Sequence, residues 1–453
     1  MSGYSKRHDL MRLSPDVLRL SIEALSLVES EGVSLREGVE RASVQTHNPK
    51  PSEIRESRRL VFSTLTRQNA LDITLMEAFS HAEFNGLSLG TKSFLRIFTY
   101  LVHFTKSPTN PAQLAELGRR ILGWEALSSC ELALGKILFA RVERIQIRFQ
   151  DDEQVALNSF NPLWLVKDVI RTFGRKEALK ILSPSLSKVD VFVHPNILKK
   201  DESEITNELL SENIRLERIN GLTSLYRIVG NQRSLRKWID LDLIRLQDLP
   251  SSVAAMNLHA SFGKRVLFVG ASPTSIISYV GQLMGNSGSI HVLDTSEKRV
   301  SRLIREASSA GVSIVEPEIT EDFAIFPNIQ ADAVMLHAPN SRTGVFWRDP
   351  SLKWRVRPET SEYFQNIQED LLDRCSKVVV KGGNLVYWTR SLIAEENECV
   401  IERFLARHSE YGLTQTQPRL GTPGLRGQNE CQRFFPHLHN CDGAFLALMK
   451  RIA

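Results

Sequence analysis

Apolar positions recur at helical spacing through the first 185 residues of the chain and at strand spacing only after that. Val17, Leu18, Leu20, Ile22, Leu25, Leu27 and Val28 fall three and four apart behind Ser14-Pro15, a capping residue followed by proline at the first helical position. Further amphipathic helices are expected over 53–66, 70–79 and 91–104, and the helical pattern continues from about 110 to 185. Residues 188–240 change period. Short strands are expected at 190–193, 215–219 and 225–229, with a helix at 202–210, and their apolar runs look too short for a core of their own.

A helix is expected over 246–255, followed by a βαβ unit. Val266–Val269 forms an apolar run, Gly270–Ser275 a turn of small residues, Ile276–Met284 a helix, and 289–294 a second strand ending in Asp294. Strands at 312–315, 333–336, 378–380, 384–387 and 444–449 alternate with helices at 297–310, 362–375 and 395–407. Such alternation predicts a mostly parallel, doubly wound sheet. Ligands of these sheets sit beyond the carboxyl ends of the strands, where Gly270, Asp294, His337 and Thr389 are expected to converge on one cleft. The turn at Gly270, Ala271 and Ser272 exposes backbone N–H groups, and an acid at the next strand tip can accept from ribose hydroxyls. A βαβ unit that binds nothing fits these residues equally well.

Composition narrows the setting. With 453 residues the chain calls for two or three domains, and 42% hydrophobic with 24% charged residues is ordinary for a globular protein. A net charge of +5 suits an anionic partner without requiring one. The five cysteines (130, 375, 399, 431 and 441) show no CxxC or other metal-ligand spacing, so no metal is expected and a reducing, cytoplasmic setting is. No signal peptide or membrane span is expected.

Gln247-Asp248, Ala338-Pro339 with Thr343-Gly344, Gly382-Gly383 with Thr389, and Pro436-His437 together resemble motifs of the Sun/Fmu (RsmB/Nop) family of S-adenosylmethionine-dependent RNA cytosine-C5 methyltransferases. Gln247-Asp248 with Ser252 is similar to the family's QD-x-x-S. Ala338-Pro339 with Ser341, Thr343 and Gly344 is similar to its APCSGTG, and Asp349-Pro350 through Trp354-Arg355 to the segment after it. Gly382-Gly383, Tyr387, Thr389 and Ser391 with Glu395–Glu398 are similar to GG-x-LVY-x-TCS and EENE. Arg433, Pro436-His437 and Asp442-Gly443 are similar to the C-terminal RxxPH and DGFF. The resemblance implies a NusB-like all-α domain at 1–145, connecting helices at 146–187, an RRM-like α+β module at 188–245 and a Rossmann-like α/β methyltransferase domain at 246–453. It also implies S-adenosylmethionine at Gly270, Ala271, Ser272, Asp294 and His337, and ribosomal or transfer RNA as partner.

The departures fall on the chemistry. The family's attacking cysteine, which adds to C6 and turns C5 into a nucleophile, stands where this chain has Arg390, and its second cysteine where it has Asn340. The aspartate that helps hold the cytosine is His337, and the acid, paired glycines and lysine of the cofactor turn are Phe268, Thr274, Ser275 and Ile276. Guanidinium stays protonated and is no nucleophile, so C5 methylation by the family mechanism is not expected. Arg390 reads either as a phosphate or carboxylate ligand or as a plug paired with Glu395 or Glu396.

The stretch 342–357 interleaves Arg342, Arg348, Lys353, Arg355 and Arg357 with Phe346, Trp347 and Trp354. It reads as an RNA contact, cations on phosphates and aromatics on bases, or as a structural loop. The arginines of helix 53–66 read as a solvated face or a nucleic-acid contact. Three functions follow. The first is an RNA-binding, catalytically degenerate family member, which an active methyltransferase paralogue could accompany. The second is a methyltransferase that needs no thiol, and the third is a protein–protein scaffold.

Overall fold

The computed structural model describes residues 13–46, 49–105, 110–142, 151–183, 189–230, 234–321, 323 and 326–453. It divides into two compact units, Met1–Ser185 with Phe346–Arg357 and Leu186–Val345 with Pro358–Ala453. The expected boundaries at 145/146 and 187/188, and the N-terminal segment, lie outside the described residues.

The first unit is helical. Its central helix, Pro15–Glu31, starts where the Ser14 hydroxyl accepts from the Val17 N–H at 3.1 Å and ends at Gly32 in the left-handed region. Leu18, Leu25 and Val28 on this helix meet Val39, Val61, Phe94 and Phe98 from Leu35–Gln45, Pro51–Thr66 and Leu89–His103. Arg96 is buried on this packing and is held by Asp72 and Glu29, each at 2.6 Å. Gly118 lets the Phe94 ring close, since a Cβ there would stand 2.4 Å from it.

Residues 346–357 belong to this helical unit, which corrects the assignment of all of 246–453 to one domain. The tie is local. Trp354 Nε1 donates to the Leu65 carbonyl at 2.6 Å, taking up an acceptor at the end of helix Pro51–Thr66, and Lys353 Nζ donates to the Phe160 carbonyl at 3.1 Å.

The second unit opens with a βαββαβ module: β1 (Phe192–Pro195), helix Glu202–Ser211, β2 (Ile214–Arg218), β3 (Tyr226–Gly230), helix Leu235–Asp240 and β4 (Ile244–Gln247). Its antiparallel sheet has the order β2-β3-β1-β4. The module does have a core of its own, contrary to expectation, because the helices supply what the strands lack. Ile205, Leu209, Leu235 and Trp238 close over Val193, Ile214, Ile228 and Ile244. The opposite side of β1 and β4 is buried as well, with the His194 ring 5.1 Å from Tyr279 of helix Thr274–Leu283. The expected helix at 246–255 is split: 244–247 is β4, and Asp248 caps a helix that starts at Leu249.

The main sheet runs β11-β12-β13-β9-β8-β5-β6-β7, with β10 also on β13. β5 (Arg265–Val269), β6 (Ser289–Asp294), β7 (Val315–Ile319), β8 (Ala331–His337) and β9 (Val379–Thr389) are parallel. β13 (Ala444–Arg451) is antiparallel to β9, β10 (Tyr411–Thr414) and β12 (Gln432–Phe434) are antiparallel to β13, and β11 (Thr422–Pro423) pairs with β12. The sheet is therefore mixed. β5 lies between β6 and β8, so the strand order reverses there and a crevice opens at the carboxyl ends.

Candidate functional site

A cavity of about 530 Å³ occupies that crevice, lined by Gly270, Ser272, Asp294, Arg299, His337, Asn340, Arg342 and Arg390 among others. Gly270, Asp294 and His337 converge as expected. Thr389 does not reach it: its hydroxyl is buried and donates to Asn397 Oδ1 at 2.6 Å. Ala271 is buried beside it and lines a second cavity of about 370 Å³.

Gly270 adopts φ +101°, and a Cβ there would stand 2.9 Å from the His337 carbonyl, so the turn after β5 can pass the end of β8 only as glycine. The turn is fixed by Asp294, which is 1% exposed. Asp294 Oδ2 accepts from the Ala271 N–H at 2.6 Å and Oδ1 from the Ser296 N–H at 2.7 Å. Arg299, one turn into the following helix, adds Nε at 2.9 Å and Nη2 at 2.6 Å. A carboxylate offers about four acceptor positions, and these donors fill them. A ribose diol could bond Asp294 only by displacing the half-exposed Arg299.

Arg390 follows β9 and projects between two acids. Nη1 meets Asp442 Oδ2 at 2.8 Å and Nη2 meets Asp248 Oδ2 at 2.7 Å, while its guanidinium lies over the Trp388 ring at 5.4 Å. The expected pairing with Glu395 or Glu396 is not the one formed. The backbone around it is equally fixed. The Gly344 N–H donates to the Arg390 carbonyl and the Gly443 N–H to the Gly344 carbonyl, both at 2.9 Å. A Cβ on Gly344 would stand 2.3 Å from the Gly443 oxygen. The residues resembling GTG, TCS and DG thus meet backbone to backbone.

The loop after β8 is held from beneath. Asn340 Nδ2 donates to the Ala338 carbonyl at 2.7 Å and its Oδ1 accepts from the Arg342 N–H at 3.0 Å, so this carboxamide closes a turn. The Ser341 N–H donates to the buried Glu396 at 2.8 Å, and burial pushes that carboxyl up to about 7. The His337 ring lies against Trp388, tilted by 31° with 4.2 Å between centroids. Burial, with the Arg390 charge next, pulls the imidazole down to about 3, so it is neutral at working pH.

No cysteine lines the cleft. Cys375 and Cys431 pack in the core on one side of the sheet and Cys441 in the core on the other. Burial pushes the Cys441 thiol well up, reinforced by Asp248 and Asp442, so it is no thiolate. The basic–aromatic stretch separates in space. Lys353 is 5% exposed, so it offers no charge to a phosphate, and Trp354 is half-buried with its N–H satisfied by the helical unit. Burial decided this, and the partners, Phe160 and Leu65, are too distant in sequence for the motif to reveal. Arg348 and Arg355 stay exposed, Arg348 over Trp347 and Arg355 bonded to Ser351, while Arg342 lines the cleft.

Sequence reasoning missed the partners that set the site: Asp248 and Asp442 on Arg390, and Arg299 on Asp294. The two acids stand in motifs resembling QD-x-x-S and DGFF, but their facing each other across Arg390 is visible only in three dimensions. Arg299, five residues after Asp294, was legible as a neighbour on the first turn of a helix. Among the described residues no group of His, Cys, Asp and Glu could hold a metal ion, and no helix is long and apolar enough to cross a membrane.

A mixed sheet reversing order between β6 and β8, with an acid at the tip of β6 and a cleft beyond it, defines a Rossmann-like α/β domain. Residues 255–450 match the sequence family described as 16S rRNA methyltransferase RsmB/F. The chain is 26% identical over 305 residues to the probable ribosomal RNA small subunit methyltransferase B of Bacillus subtilis, covering 66% of this chain and 68% of that one. It is 25% identical over 437 residues to the protein of the same name from Synechocystis, covering 91% and 94%. The crystal structure of PH0851 superposes with a TM-score of 0.78 at 23% identity, covering 97% of this chain and 100% of that one. That of NSun6 from Pyrococcus horikoshii with SFG gives 0.58 at 21%, covering 63% and 97%. Over this domain the chain is similar to the Sun/Fmu (RsmB/Nop) family of RNA cytosine-C5 methyltransferases.

Proposed function

We propose that the protein binds RNA on a methyltransferase scaffold that has lost the C5 reaction. One observation carries this reading: Arg390 stands where the family's attacking thiol would be, fixed at both ends by Asp248 and Asp442. A guanidinium cannot add to C6 of cytosine, and without that adduct C5 does not attack a methyl sulfonium. Asn340, at the second thiol position, is spent on a turn.

The remaining parts fit the same reading. The βαββαβ order of the module supports an RRM-like assignment, and the first unit's helices are read as NusB-like. Residues 1–145, 146–187, 188–245 and 246–453 serve as the corresponding domains, with 346–357 joined to the helices. Arg342, Arg348 and Arg355 are kept as RNA contacts. Ribosomal or transfer RNA is the partner class, in the cytoplasm, and an active paralogue would supply the methyl chemistry.

A second reading is favoured by the persistence of Asp294 and the cleft. S-adenosylmethionine would bind at Gly270, Ala271, Ser272, Asp294 and His337 and serve an acceptor that needs no thiol adduct, such as a ribose hydroxyl. The filled carboxylate of Asp294 argues against this fit. Titration calorimetry with S-adenosylmethionine decides between them. The first reading expects no heat of binding at micromolar ligand, and saturable micromolar binding would favour the second.

A further inference from the structure

We infer that one face of helix Pro51–Thr66 is an RNA phosphate-binding surface built from Arg55, Arg58 and Arg59, with Lys50 exposed at its N-cap. The inference rests on the RNA-binding reading and gives it a place. The helix buries Ser57, Leu60, Val61, Thr64 and Leu65. Arg55, Arg58 and Arg59 lie on the opposite side within an arc of about 100° and are exposed, as is Lys50 at the N-cap.

Among the described residues these cations have no acid partner and sit together on one helix, unlike many arginines of the same unit. Elsewhere in this unit Arg36, Arg41, Arg96, Arg119, Arg120, Arg171 and Arg175 each meet a carboxylate at 3.2 Å or closer. Among the described residues no carboxylate pairs with Lys50, Arg55, Arg58 or Arg59. Glu53 is committed to the Lys50 N–H at 2.8 Å. Like charges within one turn repel, and Lys50 also faces the positive end of the helix dipole. The fold thus leaves a cluster of guanidiniums that nothing inside it neutralises. A polyanion with a regular charge spacing complements such a face, and RNA is the polyanion this family acts on.

The full chain, titrated against a fluorescently labelled RNA hairpin over a range of salt concentrations, tests this by fluorescence anisotropy. Arg55→Ala, Arg58→Ala and Arg59→Ala together should weaken binding at low salt. The slope of log affinity against log salt should become shallower by about 2–3, at roughly 0.7–0.9 per phosphate released. The triple lysine variant should keep the wild-type slope, and the unfolding midpoint of both should be unchanged because the side chains are exposed. An unaltered slope in the alanine variant overturns the surface while leaving RNA binding intact. Failure of the wild type to bind RNA overturns both. Loss of binding to a polyglutamate peptide with RNA binding unaffected would instead assign the face to an acidic protein and overturn the RNA assignment.

Discussion

Arg390→Ala is expected to destabilise the second unit by about 3–5 kcal/mol, the usual range for removing one partner from a buried ionic group. The guanidinium is 14% exposed and bridges Asp248 and Asp442, the latter 1% exposed, so its loss leaves two carboxylates facing each other across a void. One of them should then retain a proton well above the usual carboxylate range, and the variant should regain stability as the pH is lowered. Arg390→Lys should restore only part of the loss, because one ammonium cannot bond both acids with the geometry of a planar fork. Equilibrium denaturation of the three proteins at neutral and acidic pH reads this directly. A wild-type midpoint in the alanine variant would mean that the two ion pairs carry little of the cleft's rigidity.

The second large effect is expected at Lys353, with the opposite sign. Burial pulls this ammonium down to about 7 from 10.5, with Arg67 adding to the shift, and among the described residues its Nζ bonds only the Phe160 carbonyl. Between those two pH values the unfolded chain holds a proton that the folded one does not. Stability therefore rises with pH across the window, and below about 7 the full cost is present. Lys353→Met keeps the length of the stem and removes the charge. The shift corresponds to roughly 5 kcal/mol, against about 1–2 kcal/mol lost by stranding the carbonyl, so the variant should gain about 3 kcal/mol at neutral pH. The difference between variant and wild type should shrink towards alkaline pH. Denaturation free energies with parallel pH profiles would show that the lysine reaches water in the native state.

These two residues also mark what the sequence could and could not disclose. Arg390 was visible as a misfit because neighbouring residues resemble a family motif, and its inability to act as a nucleophile follows from its chemistry alone. Its partners were not visible. Asp248 and Asp442 lie 142 and 52 residues away, and the chain carries acids much nearer in sequence, Glu395 and Glu396, of which Glu396 accepts from Ser341 instead. Lys353 and Trp354 had the composition of an RNA contact, and only tertiary packing shows that their donors are consumed by carbonyls of the helical unit.

The same division holds for the fold. Helix Pro15–Glu31 was legible from its cap and spacing, and the βαβ unit from an apolar run, a glycine turn and a terminal acid. β7 was misplaced at 312–315, because Val312 is buried against Gly281 in a packing role while the strand itself is an edge with exposed glutamates. The two strands expected at 378–380 and 384–387 are one strand, β9, carried through an irregularity where Gly383 passes the Asp332 carbonyl too closely for a side chain. Short or edge strands give too few residues for a period, and burial between distant segments leaves no local trace.

Loss of the C5 reaction rests on the absence of a cysteine thiol among the described residues that line the cleft. Its most direct test is to incubate the purified full chain with isotopically labelled S-adenosylmethionine and unmodified ribosomal and transfer RNA, then analyse the digested nucleosides by mass spectrometry. No labelled 5-methylcytosine above a no-protein control is the predicted result. Labelled 5-methylcytosine accumulating in proportion to protein would contradict it.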